Sequence, residues 1–531
     1  MQANLLLYNG NIHTMDRTTP RAQAIAVAGN RVLAVGSDAA MQELLAPKGE
    51  AIDLHGQTVV PGFTDSHLHF MSFGLSLKRV DLAEVPTLEE ALARVAAGVA
   101  QTPTGQWVRG RGWDHSLWEG GGFPTRADLD RVAPDHPVFL GRKCGHVGWA
   151  NSRALQLAGI TRETPDPPGG AIERDAVTGE PTGILKELAM DLLDRLFKAP
   201  ALEEATEAIQ AATVHARRHG IVGVHTMEDA VALKAFQQLE AAGKLGLRVL
   251  MQIPEENLDA AIQMGLQSGF GNERMRIGGV KLFADGALGA RTAYMLEPFA
   301  GEPDNYGIPV VTGERLRELV SKASRSGIAA FVHAIGDRGN REVLDAVEAS
   351  RKAGVGLHLR HRIEHTQILH PSDIPRLGQL GVIASMQPIH CTQDMLLADA
   401  LWGPVRSATA YAWRSLLDAG AVLAFGSDSP VEDLNVMKGI HAAVTRRRAD
   451  GSPGPAGWYP EQRISVAEAV YAYTAGAAYA SGEEAIKGTL TPGKLADLVV
   501  LSQDIFSIDP MAILDTQVVA TLFDGQFVDL E

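Results

Sequence analysis

Two histidines a residue apart, His67 and His69, stand in the stretch Pro61-Gly62-Phe63-Thr64-Asp65-Ser66-His67-Leu68-His69-Phe70. In an extended chain, side chains two positions apart point the same way, so both imidazoles can face one ion. The pair alone is a weak signal because HxH is common. Further along, apolar runs end in His333, in Glu364-His365 and in Gly426-Ser427-Asp428-Ser429-Pro430. Four histidines and an aspartate offer nitrogen and hard oxygen donors, which suit Zn²⁺ and neighbouring divalent ions. The joint pattern is far more specific than any member.

Lys281 adds a different chemistry. It lies inside the apolar run Gly279-Val280-Lys281-Leu282-Phe283-Ala284-Asp285-Gly286, where an ammonium is expensive and, offering donors only, cannot ligate a metal. Buried lysines lose their proton readily. A neutral amine can add CO2 to become a carbamate, whose two oxygens can bridge two metals. The bland alternative is a lysine paired with Asp285 or another acid; the surrounding histidines favour the bridge.

Such dispersed residues need a scaffold that gathers them. The strand-like runs Thr58 to Phe63, Gly220 to His225, Leu247 to Ile253, Arg276 to Phe283, Ile328 to His333, Leu357 to Glu364, Gly381 to Met386 and Ala421 to Phe425 alternate with helical periodicity. Runs of this kind imply a parallel sheet covered on both faces, and eight of them suggest closure into a (β/α)8 TIM barrel. Barrel enzymes build their sites at the C-terminal ends of different strands, so the residues above would converge.

The barrel is expected over residues 58–479. The ends of the chain read as short strands with Asn-Gly, Gly-Asn and Asp-Gly turns, and neither is large enough to bury a sheet alone. Residues 1–57 and 480–531 are therefore expected to form one small β-sandwich domain. The interval at about 71–215 exceeds one crossover and predicts an inserted subdomain after the first barrel strand. It holds Trp107, Trp113, Trp118 and Trp149, either as local core or, for some, as the wall of an apolar substrate pocket.

The segments Val60 to His69, Lys281 to Gly286, His333 to Asp337, Ile363-Glu364-His365, Gly426-Ser427-Asp428 and Pro492 to Leu498 resemble the amidohydrolase superfamily, in the branch that includes N-substituted formamide deformylase-like enzymes. The resemblance spans nearly the whole chain. It implies that His67 and His69 bind the more buried metal, that Lys281 bridges as a carbamate, that His333 and His365 bind a second metal, and that Asp428 both ligates and moves protons. One or two zinc ions per chain would serve. A divalent ion lowers the pKa of its water from ~15.7 to about 7, and Asp428 would carry the proton from that water to the leaving amine. His146, in Gly145-His146-Val147-Gly148-Trp149, and the pair Trp113-Asp114 are similar to segments near the substrate pocket of this branch. Arg291, shortly after the lysine run, can contact a substrate carbonyl or carboxylate.

The remaining polar residues are less committed. Asp65, Asp285, Asp337 and Glu364 each stand near a proposed ligand and can accept the free N–H of a ligating histidine. His361 lies deeper along its run than His365 and reads as a satisfied interior histidine. His225 is a possible pocket residue, and His215, His219, His358, His370, His390 and His441 are assigned no role. Gly488 to Lys494 matches phosphate-loop spacing, but Leu495 stands where Ser or Thr must bind Mg²⁺, so a β turn is expected.

The bulk properties close off other classes. A chain of 531 residues with 45% hydrophobic and 21% charged residues can bury a large core. The net charge of -15 argues against binding to nucleic acid or an anionic membrane. No apolar segment approaches the ~18 residues of a membrane span and no signal peptide is legible, so a cytoplasmic protein is expected. Cys144 and Cys391, the only cysteines, form no CxxC pattern. The reading is a hydrolase of an amide-type, non-peptide C–N bond in a small molecule, such as an N-acyl or N-formyl amine. A homodimer is expected on general grounds. The alternatives are a deaminase, cyclic amidase or isomerase on the same metals, or a metal-stabilised binding protein without turnover, for which the proton carrier Asp428 would be superfluous.

Overall fold

The structure is a computed structural model that describes residues 2–83, 85–142, 147–167, 170–197 and 200–530. Parallel strands succeed one another in chain order across one sheet: β1 (Phe63–Leu68), β2 (Ile221–Thr226), β3 (Arg248–Pro254), β4 (Met275–Phe283), β5 (Ala329–Ala334), β6 (Arg362–His365), β7 (Ile383–Met386) and β8 (Leu423–Phe425). Every residue of β1, β2, β6, β7 and β8 is buried, as expected of strands covered on both faces. Val280 and Leu282 of β4 are fully buried, each stabilising the fold by about 1.5–3 kcal/mol relative to exposure.

The intervening helices are amphipathic. Asp337–Lys352, which follows β5, buries Asn340, Val343, Leu344, Val347 and Ser350, a spacing of three and four that makes one apolar stripe. Caps fix where helices begin: the Asp229 side chain accepts from the amides of Val231 and Ala232 at the start of Ala230–Ala241, satisfying donors that have no partner within the helix.

The barrel closes through the chain just after β8. Asp428 N–H donates to the His67 carbonyl (2.6 Å), and His69 N–H donates to the Ser429 carbonyl (2.8 Å). Ser427 N–H donates to the Asp65 carboxylate (3.1 Å). Gly426 is forced by this approach, since a Cβ there would lie 2.5 Å from the His67 nitrogen and 2.6 Å from the Asp65 carboxylate. The closure therefore sets Asp428 beside His67.

The two chain ends build a β-sandwich. One sheet runs Arg31–Gly36, Ala24–Ala28, Ala3–Tyr8, Leu45–Asp53; the other runs Gln526–Phe527, Val518–Phe523, Leu498–Leu501, Thr58–Pro61, Asn11–His13, Arg21–Ala22. Their facing side chains, among them Leu5, Leu7, Ile25 and Val27 from the first and Val59, Leu498, Val500 and Leu522 from the second, share one core.

Several expected boundaries move. The run from Thr58 to Phe63 divides: Thr58–Pro61 pairs antiparallel with Leu498–Leu501 in the terminal domain, and the barrel strand begins at Phe63. Gly62 stands at the division, where a Cβ would meet Val222 at 2.4 Å. The run from Leu357 shortens to Arg362–His365, with Leu357 exposed before it. The insertion is a compact unit of Leu75–Ala201, because Leu202–Arg218 is the helix that leads into β2. It has its own mixed sheet, ordered Gly170–Arg174, Pro181–Glu187, Val147–Ala150, Val138–Arg142, Val108–Trp113, Val80–Asp81. Among the described residues no helix is long and apolar enough to cross a membrane.

Candidate metal centre

The C-terminal ends of the barrel strands bring His67, His69, His333, His365 and Asp428 to one place. Ligand atoms of His67, His365 and Asp428 all lie within 4.8 Å of one another. The Nε2 atoms of His67 and His69 stand 3.4 and 3.6 Å from the same oxygen, Oδ1 of Asp428. The His365 ring lies 4.7 Å from that of His67 and 4.5 Å from that of His333, centroid to centroid. His365 and Asp428 both have φ in the left-handed region, 74° and 59°. Such strain persists only where surrounding structure imposes it, and it aims both side chains inward.

Each histidine has one ring nitrogen tied to an acceptor. His67 Nδ1–H donates to Glu364 Oε2 (2.5 Å), His69 Nδ1–H to the Met227 carbonyl (3.0 Å), and His365 Nδ1–H to Gln387 Oε1 (2.8 Å). His333 is turned the other way, with Nε2–H donating to the Gly286 carbonyl (3.0 Å). Three rings therefore present Nε2 and one presents Nδ1 as a free lone pair, the tautomers that cation binding requires.

The charge states agree. Burial, with Lys281 beside it, pushes His333 down to about 3, and burial lowers His69 and His365 as well. These imidazoles are neutral at neutral pH. Burial opposes ionisation of Asp428, but the polar surroundings, the contact with His390 foremost, outweigh it and hold the carboxyl well below its usual range. Neutral nitrogens around a carboxylate are a donor set for a divalent cation, and these residues fit one.

Lys281 is buried on β4, its Nζ 4.8 Å from the centre of the Phe283 ring. Burial pulls its pKa down to about 8 against the opposing charges of Glu364 and Asp428. A usable neutral fraction follows at neutral pH, which is what carbamate formation needs.

Of the four acidic neighbours weighed from sequence, Glu364 takes a ring N–H. It is fully buried and also pairs with Arg362, whose Nε lies 2.9 Å from Oε1. Burial would raise the Glu364 pKa, but Arg362 and His67 outweigh it and keep the group ionised. Asp65 accepts instead from the backbone of His67 and Ser427, Asp337 from the Leu296 amide, and Asp285 from the amides of Tyr294, Ile335 and Gly336. Asp285 also lies 3.7 Å from His333 Nε2.

The sequence reading of the substrate contacts fares differently. Trp113 takes the local-core alternative: it has no exposed surface, packs with Trp118 and Trp149 in the core of the insertion, and donates its indole N–H to the Leu140 carbonyl (2.9 Å). Arg291 sits half exposed and ion-paired with Glu302. His146 lies outside the described residues. His361 is an interior histidine, accepting from the Ala330 amide (3.1 Å). His225 is buried with Nδ1 2.9 Å from Arg362. Lys494, in the phosphate-loop lookalike, donates to Thr489 from a turn.

Sequence reasoning missed Arg362, Gln387 and His390. His390 Nε2 stands 3.5 Å from Asp428 Oδ2, and its ring lies 6.1 Å from that of His365. The signal was available, since Gln387 directly follows β7 and His390 lies in the first turn of the next helix, at the same end of the strands as the candidate ligands.

Comparison with known proteins agrees with this geometry. The model of the amidohydrolase family matches residues 50–529. The chain is 36% identical to Protein LONG AFTER FAR-RED 3 of Arabidopsis thaliana, over 99% of this chain and 91% of that protein. It is 30% identical to the N-substituted formamide deformylase of Arthrobacter pascens, over 98% of this chain and 97% of the relative. The crystal structure of a metal-dependent hydrolase from Pyrococcus horikoshii superposes with a TM-score of 0.79 at 30% identity, covering 95% of this chain and 99% of that one. With the barrel, the gathered histidines and the match across nearly its whole length, the chain belongs to the amidohydrolase family and is a metal-dependent hydrolase.

Proposed function

We propose that this hydrolase cleaves an amide-type, non-peptide C–N bond of a small molecule, an N-acyl or N-formyl amine, at a zinc centre held by His67, His69, His333, His365, Asp428 and a carbamate on Lys281. The observation that carries the reading is the convergence of His67, His365 and Asp428 within 4.8 Å at the strand ends. The similarity to an N-substituted formamide deformylase supports the choice of bond.

A divalent cation bound there supplies an acidified water and a charge that polarises the substrate carbonyl. Asp428, held ionised, would accept a proton from the attacking water as the C–O bond forms. It then returns the proton to the nitrogen as the C–N bond breaks, releasing a carboxylic acid and an amine. Glu364 and Gln387 hold His67 and His365 in the tautomers described.

The test is direct. Zinc-loaded protein is incubated with a panel of N-formyl and N-acyl amines, and the products are assayed for free amine and for ammonia. Released amine is the expected result; ammonia would mean a deaminase, and neither product would defeat the hydrolytic reading. Zinc content per chain, measured on the same sample, decides between one ion and two.

A further inference from the structure

The two oxygens of Asp428 face different partners. Oδ1 is the atom approached by Nε2 of both His67 and His69, at 3.4 and 3.6 Å. Oδ2 points the other way, toward His390 Nε2 at 3.5 Å. That nitrogen is buried, its contact with Oδ2 lies at the outer limit of a hydrogen bond, and it has no other hydrogen-bond partner among the described residues. A buried N–H left unsatisfied is destabilising, and the ionised acceptor that faces it is Oδ2.

His390 sits on the helix Pro388–Leu401, with its amide donating to the Gln387 carbonyl (3.1 Å). Gln387 in the same turn accepts from His365 Nδ1. One short segment after β7 therefore approaches site residues of two other parts of the rim, His365 of β6 and Asp428 just after β8, while contributing no proposed ligand of its own.

A carboxylate that both ligates and carries a proton must keep its oxygens in separate roles. If the group rotates about Cβ–Cγ and gives both oxygens to the cation, none remains to take the proton. We infer that His390 is a positioning residue: its N–H holds Oδ2 so that Asp428 offers only Oδ1 to the cation. The inference rests on the metal-dependent reading above.

The test uses full-length protein loaded with Co²⁺, whose visible absorption reports the number and geometry of ligands. His390→Leu removes the donor, His390→Gln keeps an N–H at similar reach, and His390→Phe keeps a ring without a donor should the leucine variant not fold. Cobalt content is expected to stay at the wild-type level in all of them. The Leu and Phe variants should show weakened, shifted bands as the carboxylate adds a second oxygen, and the Gln variant should restore the wild-type spectrum. On any amide that the wild type cleaves, kcat of the Leu or Phe variant should fall about 10–100-fold with KM within about threefold, and Gln should recover most of it. A wild-type spectrum in the Leu or Phe variant, or a Gln variant as disturbed as either, overturns the inference. A wild type that cleaves no amide refutes the proposed reaction and leaves the cobalt spectra to decide the role of His390.

Discussion

At the scale of single residues, Glu364 concentrates the most risk. It takes the ring N–H of His67 and neutralises Arg362, and all of these groups are buried. Glu364→Gln keeps an acceptor but removes the charge, leaving the Arg362 guanidinium in the interior without its counterion. Breaking such a pair costs about 3–5 kcal/mol, and replacing the carboxylate behind His67, a proposed ligand, by a weaker neutral acceptor should lower metal affinity about 10-fold. Urea denaturation and a competitive chelator titration measure these separately. Asp428→Asn should behave differently. It removes the proposed proton carrier while preserving size, so turnover should fall by about 10²–10⁴-fold with the fold intact and most of the metal retained; steady-state rates beside metal analysis check it.

Elements set the geometry in which those residues work. Closure of the barrel depends on the absence of a side chain at Gly426, and Gly426→Ala would drive a methyl to 2.5 Å from the His67 nitrogen. The substitution should destabilise the protein by about 1–3 kcal/mol and reduce turnover as well, because the same strand end carries Asp428; thermal melts and rates together test the coupling. His361, just before β6, gives a pH dependence. Burial lowers its pKa to about 4, and as a neutral ring it accepts from the Ala330 amide on β5. The unfolded chain protonates this histidine near 6.5, so between those values the unfolded state binds more protons. Its contribution is complete above about pH 6.5 and is lost as pH falls toward 4, by roughly 3 kcal/mol. Unfolding free energies across that window should fall less steeply for His361→Gln than for the wild type.

For the whole molecule, two linkages matter. The first joins chain ends to barrel: Arg248 of β3 is buried with Nε 2.6 Å from Asp497 and Nη2 3.1 Å from Asp524. Asp497 stands at the entry to the C-terminal strand Leu498–Leu501, so this pair ties that strand to the barrel. Asp497→Asn should lower the melting temperature without changing metal content, an outcome separable from any change at the site. The second is the metal itself. A cation that binds only the folded chain at a thousandfold excess over Kd adds about 4 kcal/mol of stability. Chelation should therefore abolish turnover and lower the melting temperature together, and zinc should restore both.

The alternation of apolar runs with helical periods, and the fall of His67, His69, Lys281, His333, His365 and Asp428 at or near the ends of those runs, were determined by local order along the chain. A barrel of parallel strands translates that order into position, because every strand end at one rim must meet the others. Tertiary structure alone decided which nitrogen of each ring is free, that Arg362 and Glu364 form the buried pair beneath His67, that His390 faces Asp428, and that Trp113 is spent on packing. These depend on which side chains approach one another across hundreds of residues, and periodicity records only which face a residue occupies. It carries no information about the partner waiting on that face.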